Sequence, residues 1–195
     1  MERYPANVLV VDDDPEIVYL LTSYLEEDYN IIPAYNGSQA LDLIKSENVD
    51  LVLLDVMMPF INGFDVCQKI KNDENQKYLP VILVTALSDR DNRIKGLEAG
   101  ADDFLPKPVD DAGLKARVKS LMRLKHLHDD LIKKHDELYK KEQIRDIFVD
   151  VMPVLLKNLP PNKKKILVQQ MLNKVEDFFS KCYQSSGQFC DNKGF

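Results

Sequence analysis

The sequence predicts an α/β domain, a doubly wound five-stranded parallel sheet, followed by an all-α helical extension. Three observations carry this. Short apolar runs rich in β-branched residues recur along the first ~120 residues, a comfortable size for one hydrophobic core. Stretches with helical spacing alternate with those runs, and beyond Gly113 the strand-like runs stop. Continuous apolar runs suit strands buried on both faces of a parallel sheet, where crossover helices cover either side.

The first strand is Val8-Leu9-Val10-Val11, and Ile17, Leu20, Leu21, Tyr24 and Leu25 place the first helix by their spacing. A weaker run, Ile31-Ile32, marks the second strand, with Ala40, Leu41 and Ile44 on the helix after it. Leu51-Val52-Leu53-Leu54 forms the third strand, and Phe64, Val66, Cys67 and Ile70 the next helix. Val81-Ile82-Leu83-Val84 is the fourth, with Ile94, Leu97 and Ala99 following; Phe104-Leu105 is the fifth. Five βα repeats in this length imply the flavodoxin-like strand order 2-1-3-4-5.

The second part has no Gly from Leu114 to Ser186 and no Pro from Val109 to Met152, which predicts one helix from about Asp111 to beyond Tyr139, about 45 Å long. Leu124, Leu131 and Leu138 recur every seven residues, with Leu121, His128 and His135 on the flanking stripe, a coiled-coil-like seam interrupted by polar positions. A kink or break is expected at Pro153. After Pro160-Pro161-Asn162, a further helix is expected, with Leu167, Met171, Leu172, Val175, Phe178, Phe179 and Cys182 on a broad apolar face. From Ser185 to Phe195 the chain is polar and expected to fray.

Charge divides at the same place. Up to Ser120 there are 12 basic and 22 acidic residues, net -10; beyond it 14 basic and 10 acidic, net +4. The longest apolar runs fall far below the ~20 residues of a membrane span, and Met1 to Val11 lacks the pattern of a secretory signal. Three cysteines, Cys67, Cys182 and Cys190, have no metal-ligand pairing, and a reducing cytoplasm is the expected compartment.

The chemistry concentrates at strand ends. Asp12, Asp13 and Asp14 follow the first strand, and Asp55 ends the third; with this strand order those ends adjoin at the topological switch point, where open α/β sheets bind ligands. Crowded carboxylates need a cation, and an all-oxygen site with room for water suits Mg²⁺. Thr85 ends the fourth strand, and Lys107 follows the fifth in Leu105-Pro106-Lys107-Pro108. A hydroxyl, an ammonium, a divalent cation and a carboxylate facing one point make a phosphoryl site, in which a carboxylate attacks phosphorus. Asp14 is open to two readings, metal contact or helix cap before Pro15, and Gly63 is assigned to the loop backbone.

These residues fall into five ordered motifs: Val10-Val11-Asp12-Asp13-Asp14, Leu53-Leu54-Asp55-Val56-Met57-Met58-Pro59 followed by Gly63, Val84-Thr85-Ala86, Gly100-Ala101-Asp102-Asp103-Phe104, and Lys107-Pro108. From about Asn7 to Leu124 the chain resembles the receiver domain of two-component response regulators. The resemblance implies Asp55 as phosphoryl acceptor, Asp12 and Asp13 as Mg²⁺ ligands with Asp55 and the Met57 backbone carbonyl, Thr85 as the hydroxyl that follows the phosphoryl group, and Lys107 as its ion partner. Phe104 stands where the family has an aromatic switch residue; without a hydroxyl, it must work by packing alone. Met57 and Leu87, two residues beyond acceptor and threonine, are apolar, which implies slow loss of the phosphoryl group.

The expected organisation is a receiver over 1–122, a helical coiled-coil-like linker over 123–143 continuing the fifth helix, and a small helical output or dimerisation segment over 144–195. Arg93, Asp102, Asp103 and Arg117 lie on a charged face similar to that through which some receivers dimerise. A histidine kinase or phosphotransfer protein is the expected donor. The favoured output is protein interaction or dimerisation, switched by phosphorylation. Two alternatives stand beside it: transcriptional control, in which Lys163-Lys164-Lys165 contacts DNA without a visible recognition helix, and the receiver-linker part of a larger signalling enzyme. No catalytic domain of its own is expected. His126, His128 and His135 do not share one helical face, and His128 and His135 are read as polar seam positions rather than phosphorylation sites.

Overall fold

A computed structural model of the chain describes residues 5–86, 90–157, 160, 163–166, 168–170 and 173–174, without the side chains at 90, 91, 93, 147–149, 151–153, 155 and 156. Leu87, the side chain of Arg93, the apolar face from Leu167 to Cys182, Cys190 and the polar tail lie outside the described residues.

The elements alternate as expected: β1 Asn7–Val11, α1 Pro15–Leu25, β2 Asn30–Ala34, α2 Gly37–Ser46, β3 Leu51–Asp55, α3 Gly63–Asn72, β4 Val81–Thr85, α4 Arg90–Glu98, β5 Asp103–Pro106 and α5 Asp111–Lys157. The strands form one sheet in the order β2-β1-β3-β4-β5, every neighbouring pair parallel. Successive strand residues point to opposite faces, so each apolar run feeds two cores. Leu9, Val11, Val52, Leu54, Val81 and Leu83 pack with Ala40, Val66, Cys67 and Ile70 of α2 and α3. On the other face, Val8, Val10, Leu51, Leu53, Ile82 and Val84 pack with Leu21 and Leu25 of α1 and Leu114, Val118 and Met122 of α5. Pro33 sits on the edge strand β2, where a missing ladder donor is tolerated.

Local chemistry sets the helix starts. Asp14 caps α1, accepting from the Glu16 N–H at 2.9 Å with Pro15 in the first turn, which resolves its two readings in favour of the cap. Asn36 accepts from the Gln39 N–H at 2.9 Å while Gln39 Oε1 accepts from the Tyr35 N–H at 2.9 Å, a reciprocal cap on α2. Asn62 accepts from the Asp65 N–H at 2.9 Å and starts α3.

The chain divides into two compact units, one ending at Leu131 and one beginning at Ile132. In the first, α5 is tied around residues 125–129 to the segments that lead into β3 and β4. The Lys125 ammonium lies 2.8 Å from Asp129 and 3.9 Å from Asp50, and the His128 ring packs 4.2 Å, centroid to centroid, from Tyr78. Sequence periodicity gave no sign of this contact, because Asp50 and Tyr78 are distant in the chain. Leu124 and Leu131 are exposed at 59% and 66%. In the second unit, Leu138 is 61% exposed, and the helix does not break at Pro153 but continues to Lys157. Proline's fixed φ is itself helical, so losing one N–H did not oblige the backbone to leave the helix. Residues 163–166, 168–170 and 173–174 are helical.

Among the described glycines, the closest backbone approach is at Gly63, where the loop after β3 enters α3. A methyl group on Gly63 would overlap the Asp55 carbonyl oxygen and stand 2.8 Å from the Val56 Cα. These are backbone atoms at and just after the end of a central strand and cannot step aside. Gly63→Ala is therefore expected to cost about 2–3 kcal/mol of stability, checked by the urea midpoint.

Candidate functional site

Among the described residues, the buried polar or charged side chains are Asp12 at 1% exposure, Asp55 at 3% and Thr85 at 0%. All three end strands at the same edge of the sheet: Asp12 follows β1, Asp55 closes β3 and Thr85 closes β4. Burying an acidic side chain is costly unless a partner offsets the charge. Here that partner is Lys107, whose Nζ lies 2.6 Å from Asp12 Oδ2 and 2.8 Å from Asp55 Oδ1. The chain turns just after β5 to deliver it, and the Lys107 N–H donates to the Thr85 carbonyl at 2.9 Å, fastening the loop to β4.

Asp13 is exposed, yet its carboxylate joins those of Asp12 and Asp55 in a cluster whose oxygens lie within 4.8 Å of one another. A hard divalent cation takes such an all-carboxylate donor set, and the exposed member leaves an open side for water. Asp12 is oriented for this role, its Oδ1 accepting from the Asp14 N–H at 3.0 Å while Oδ2 faces Lys107. The Met57 N–H donates to the Asp55 carboxylate, and the Met57 side chain is exposed.

Burial raises the Asp55 carboxyl above its ordinary value and the charge of Asp12 adds to this, while Lys107 and the Met57 N–H pull against it. For Lys107, burial acts to lower the ammonium, but hydrogen bonds and charge from Asp12 and Asp55 prevail and hold it above the usual lysine value. Outside the site, burial pushes the Cys67 thiol up to about 11, which keeps it an inert core residue.

Phe104 is partly buried against the α2 and α3 core, and its N–H donates to its neighbour Asp103 at 2.7 Å. Of the residues expected on a charged dimer face, Asp103 and Arg117 meet each other: Nη1 lies 2.9 Å from Oδ1 and 2.7 Å from Oδ2. Asp102 turns elsewhere, accepting from Lys71 Nζ at 2.7 Å and the Val81 N–H at 2.8 Å. It thus fastens β5 to α3 and β4, which the run of acids around it did not reveal.

The response regulator receiver domain family matches residues 8–119. This chain belongs to that family. Over 127 residues it is 49% identical to the response regulator PleD of Caulobacter vibrioides, covering 65% of this chain and 28% of the relative. It is 46% identical over 121 residues to the transcriptional regulatory protein CpxR of Escherichia coli, covering 62% and 50%. The chain therefore spans half or less of the length of these relatives. Among solved structures, the BeF3-activated DrrB receiver domain superposes with a TM-score of 0.57 at 36% identity, covering 62% of this chain and 99% of that one. A CheY-like receiver domain protein from Methanospirillum hungatei JF-1 gives 0.60 at 27% identity, covering 64% and 99%. Residues 147–194 are similar to a second family, methanogen output domain 1. No described helix is long and apolar enough to cross a membrane.

The raised Asp55 carboxyl has a consequence for stability. A carboxyl that holds its proton more tightly folded than unfolded favours the fold at low pH, and that contribution is lost as pH rises through the folded value. Near neutral pH, Asp55 thus weakens the fold that Asn would not. In Mg²⁺-free buffer, Asp55→Asn is expected to unfold at higher urea than the native chain near neutral pH, the gap narrowing as pH falls toward the ordinary carboxylate range.

Proposed function

We propose that Asp55 accepts a phosphoryl group from a histidine kinase or phosphotransfer protein in a Mg²⁺-dependent reaction, and that the change is passed to the helical extension. The observation that carries this reading is the convergence of Asp12, Asp55 and Thr85, buried together, on Lys107. An Asp55 carboxylate oxygen attacks phosphorus, the O–P bond forms as the N–P bond of the donor phosphohistidine breaks, and the electron pair returns to the imidazole nitrogen. Lys107, already 2.8 Å from Asp55, pairs with a phosphoryl oxygen. The Thr85 hydroxyl donates to another, giving the phosphorylated state a contact the free state lacks. Mg²⁺, held by Asp12, Asp13 and Asp55 with the Met57 carbonyl, would neutralise charge developing on the phosphoryl oxygens.

Movement of Thr85 toward the phosphoryl group is read by Phe104 on the adjoining strand, through packing. From there the signal reaches the α4, β5 and α5 face. Ile94 and Leu97 are exposed on α4, and β5 and α5 carry the Asp103–Arg117 pair; exposed apolar side chains with charges of both signs suit a symmetric contact between two copies. α5 begins at Asp111, on the face that carries Arg117, so a shift of that face acts on the start of the helix that leads toward the extension. The similarity of residues 147–194 to an output domain supports placing the effector function there. Contact of DNA by Lys163-Lys164-Lys165 is the second reading.

Incubation with acetyl phosphate and Mg²⁺ is expected to add one phosphate that persists beyond a minute, since Met57 brings no polar group to activate water; an Asp55→Asn chain that is labelled equally would overturn the assignment. Beryllofluoride with Mg²⁺ is expected to double the mass measured by light scattering at micromolar concentration, and Arg117→Glu to prevent it.

A further inference from the structure

Phe60 combines two features that a folded protein ordinarily avoids. Among the described residues it is the non-glycine residue with positive φ, at +68°, a region where a bulky side chain is strained. Its ring is fully exposed, at 102%. The Ile61 N–H donates to the Pro59 carbonyl at 2.9 Å, which makes Phe60 the centre of a three-residue γ-turn of the rare, strained hand. Strain of this kind persists only where the surrounding structure imposes it.

That surrounding structure is the acceptor strand. Phe60 stands in the loop from Val56 to Asn62, whose ends are tied by the Gly63 N–H donating to the Val56 carbonyl at 3.0 Å. Gly63 itself lies against the Asp55 carbonyl with no room for a side chain. Three residues of chain keep the Phe60 Cα within about 11 Å of Gly63, and five keep it within about 18 Å of Asp55. The exposed ring therefore stands on the loop that leaves β3 at the edge of the sheet where Asp55 lies, a loop that also exposes the Met57 side chain. A small phosphodonor offers such a ring nothing. A protein that brings a phosphohistidine to the buried Asp55 must cover this edge, and an aromatic anchor entering an apolar pocket is what concentrates affinity in protein interfaces.

We propose that Phe60 is the recognition anchor for the protein phosphodonor, its ring seated in an apolar pocket of the phosphohistidine-bearing partner. The proposal rests on Asp55 being the acceptor. It is tested on the full chain with two donors, acetyl phosphate and an autophosphorylated histidine kinase core chosen from a purified panel as the fastest to label the native chain. Phe60→Gly, which suits the positive φ, is expected to lower kinase-dependent labelling about tenfold through KM, a loss of about 1.4 kcal/mol of binding. Phe60→Tyr is expected to restore it, and acetyl phosphate labelling is expected to stay within twofold in both, with no fall in Tm for Phe60→Gly. Retained kinase labelling in Phe60→Gly would overturn the proposal. So would equal loss with both donors, which assigns Phe60 a structural role, or loss in Phe60→Gly of the mass doubling that beryllofluoride induces in the native chain, which assigns the ring to contact with a second copy. Labelling of Asp55→Asn by acetyl phosphate would instead defeat the acceptor reading beneath it.

Discussion

Three carboxylates share a small space with one ammonium, and much of this domain's architecture serves that imbalance. Lys107 bridges Asp12 and Asp55. Two like charges roughly 4 Å apart repel by about 4 kcal/mol at an effective dielectric of about 20, so the pair stands together only with a cation between them. One lysine leaves the cluster of Asp12, Asp13 and Asp55 with excess negative charge. An excess of this kind is what a divalent cation would offset. A site that carries its own unbalanced charge is poised to change state when that charge is neutralised.

The fold holds the imbalance in place by using central strands as mounts. Asp12, Asp55 and Thr85 are fixed by β1, β3 and β4, each buried on both faces. Lys107 is fastened through the backbone bond to Thr85. The same rigidity extends outward: Gly63 packs the loop after β3 against the Asp55 backbone, and Asp102 ties β5 to α3 and β4. Phe60 on the loop after β3, and Ile94 and Leu97 on α4, stay exposed outside this framework.

Most of the receiver was legible because its signals are local. Continuous apolar runs gave the five strands, and strand order followed from regular alternation. Asp12, Asp55, Thr85 and Lys107 were found because each ends or follows a strand, and a parallel sheet gathers those ends at one edge. The readings that needed correction or completion depended on contacts between distant residues. Asp102 looked like part of a surface charge cluster until its bonds to Lys71 and Val81 were seen. His128 had the spacing of a seam residue, yet its ring packs on Tyr78. Pro153 has the residue type of a helix breaker, and the helix passes through it.

The sequence by itself determined which residue types stand at the strand ends, and hence the chemistry available, because side-chain identity and strand position are both properties of the local chain. It also set the change of character after the fifth strand, where the acidic excess of the first part gives way to the basic excess of the second. Only the tertiary structure decided which carboxylates Lys107 bridges, that Asp14 is spent on capping α1, and that Phe60 stands strained and exposed on the loop after β3. The reason is that charge pairing and backbone strain are set by distances of a few ångströms between residues whose separation along the chain carries no such information.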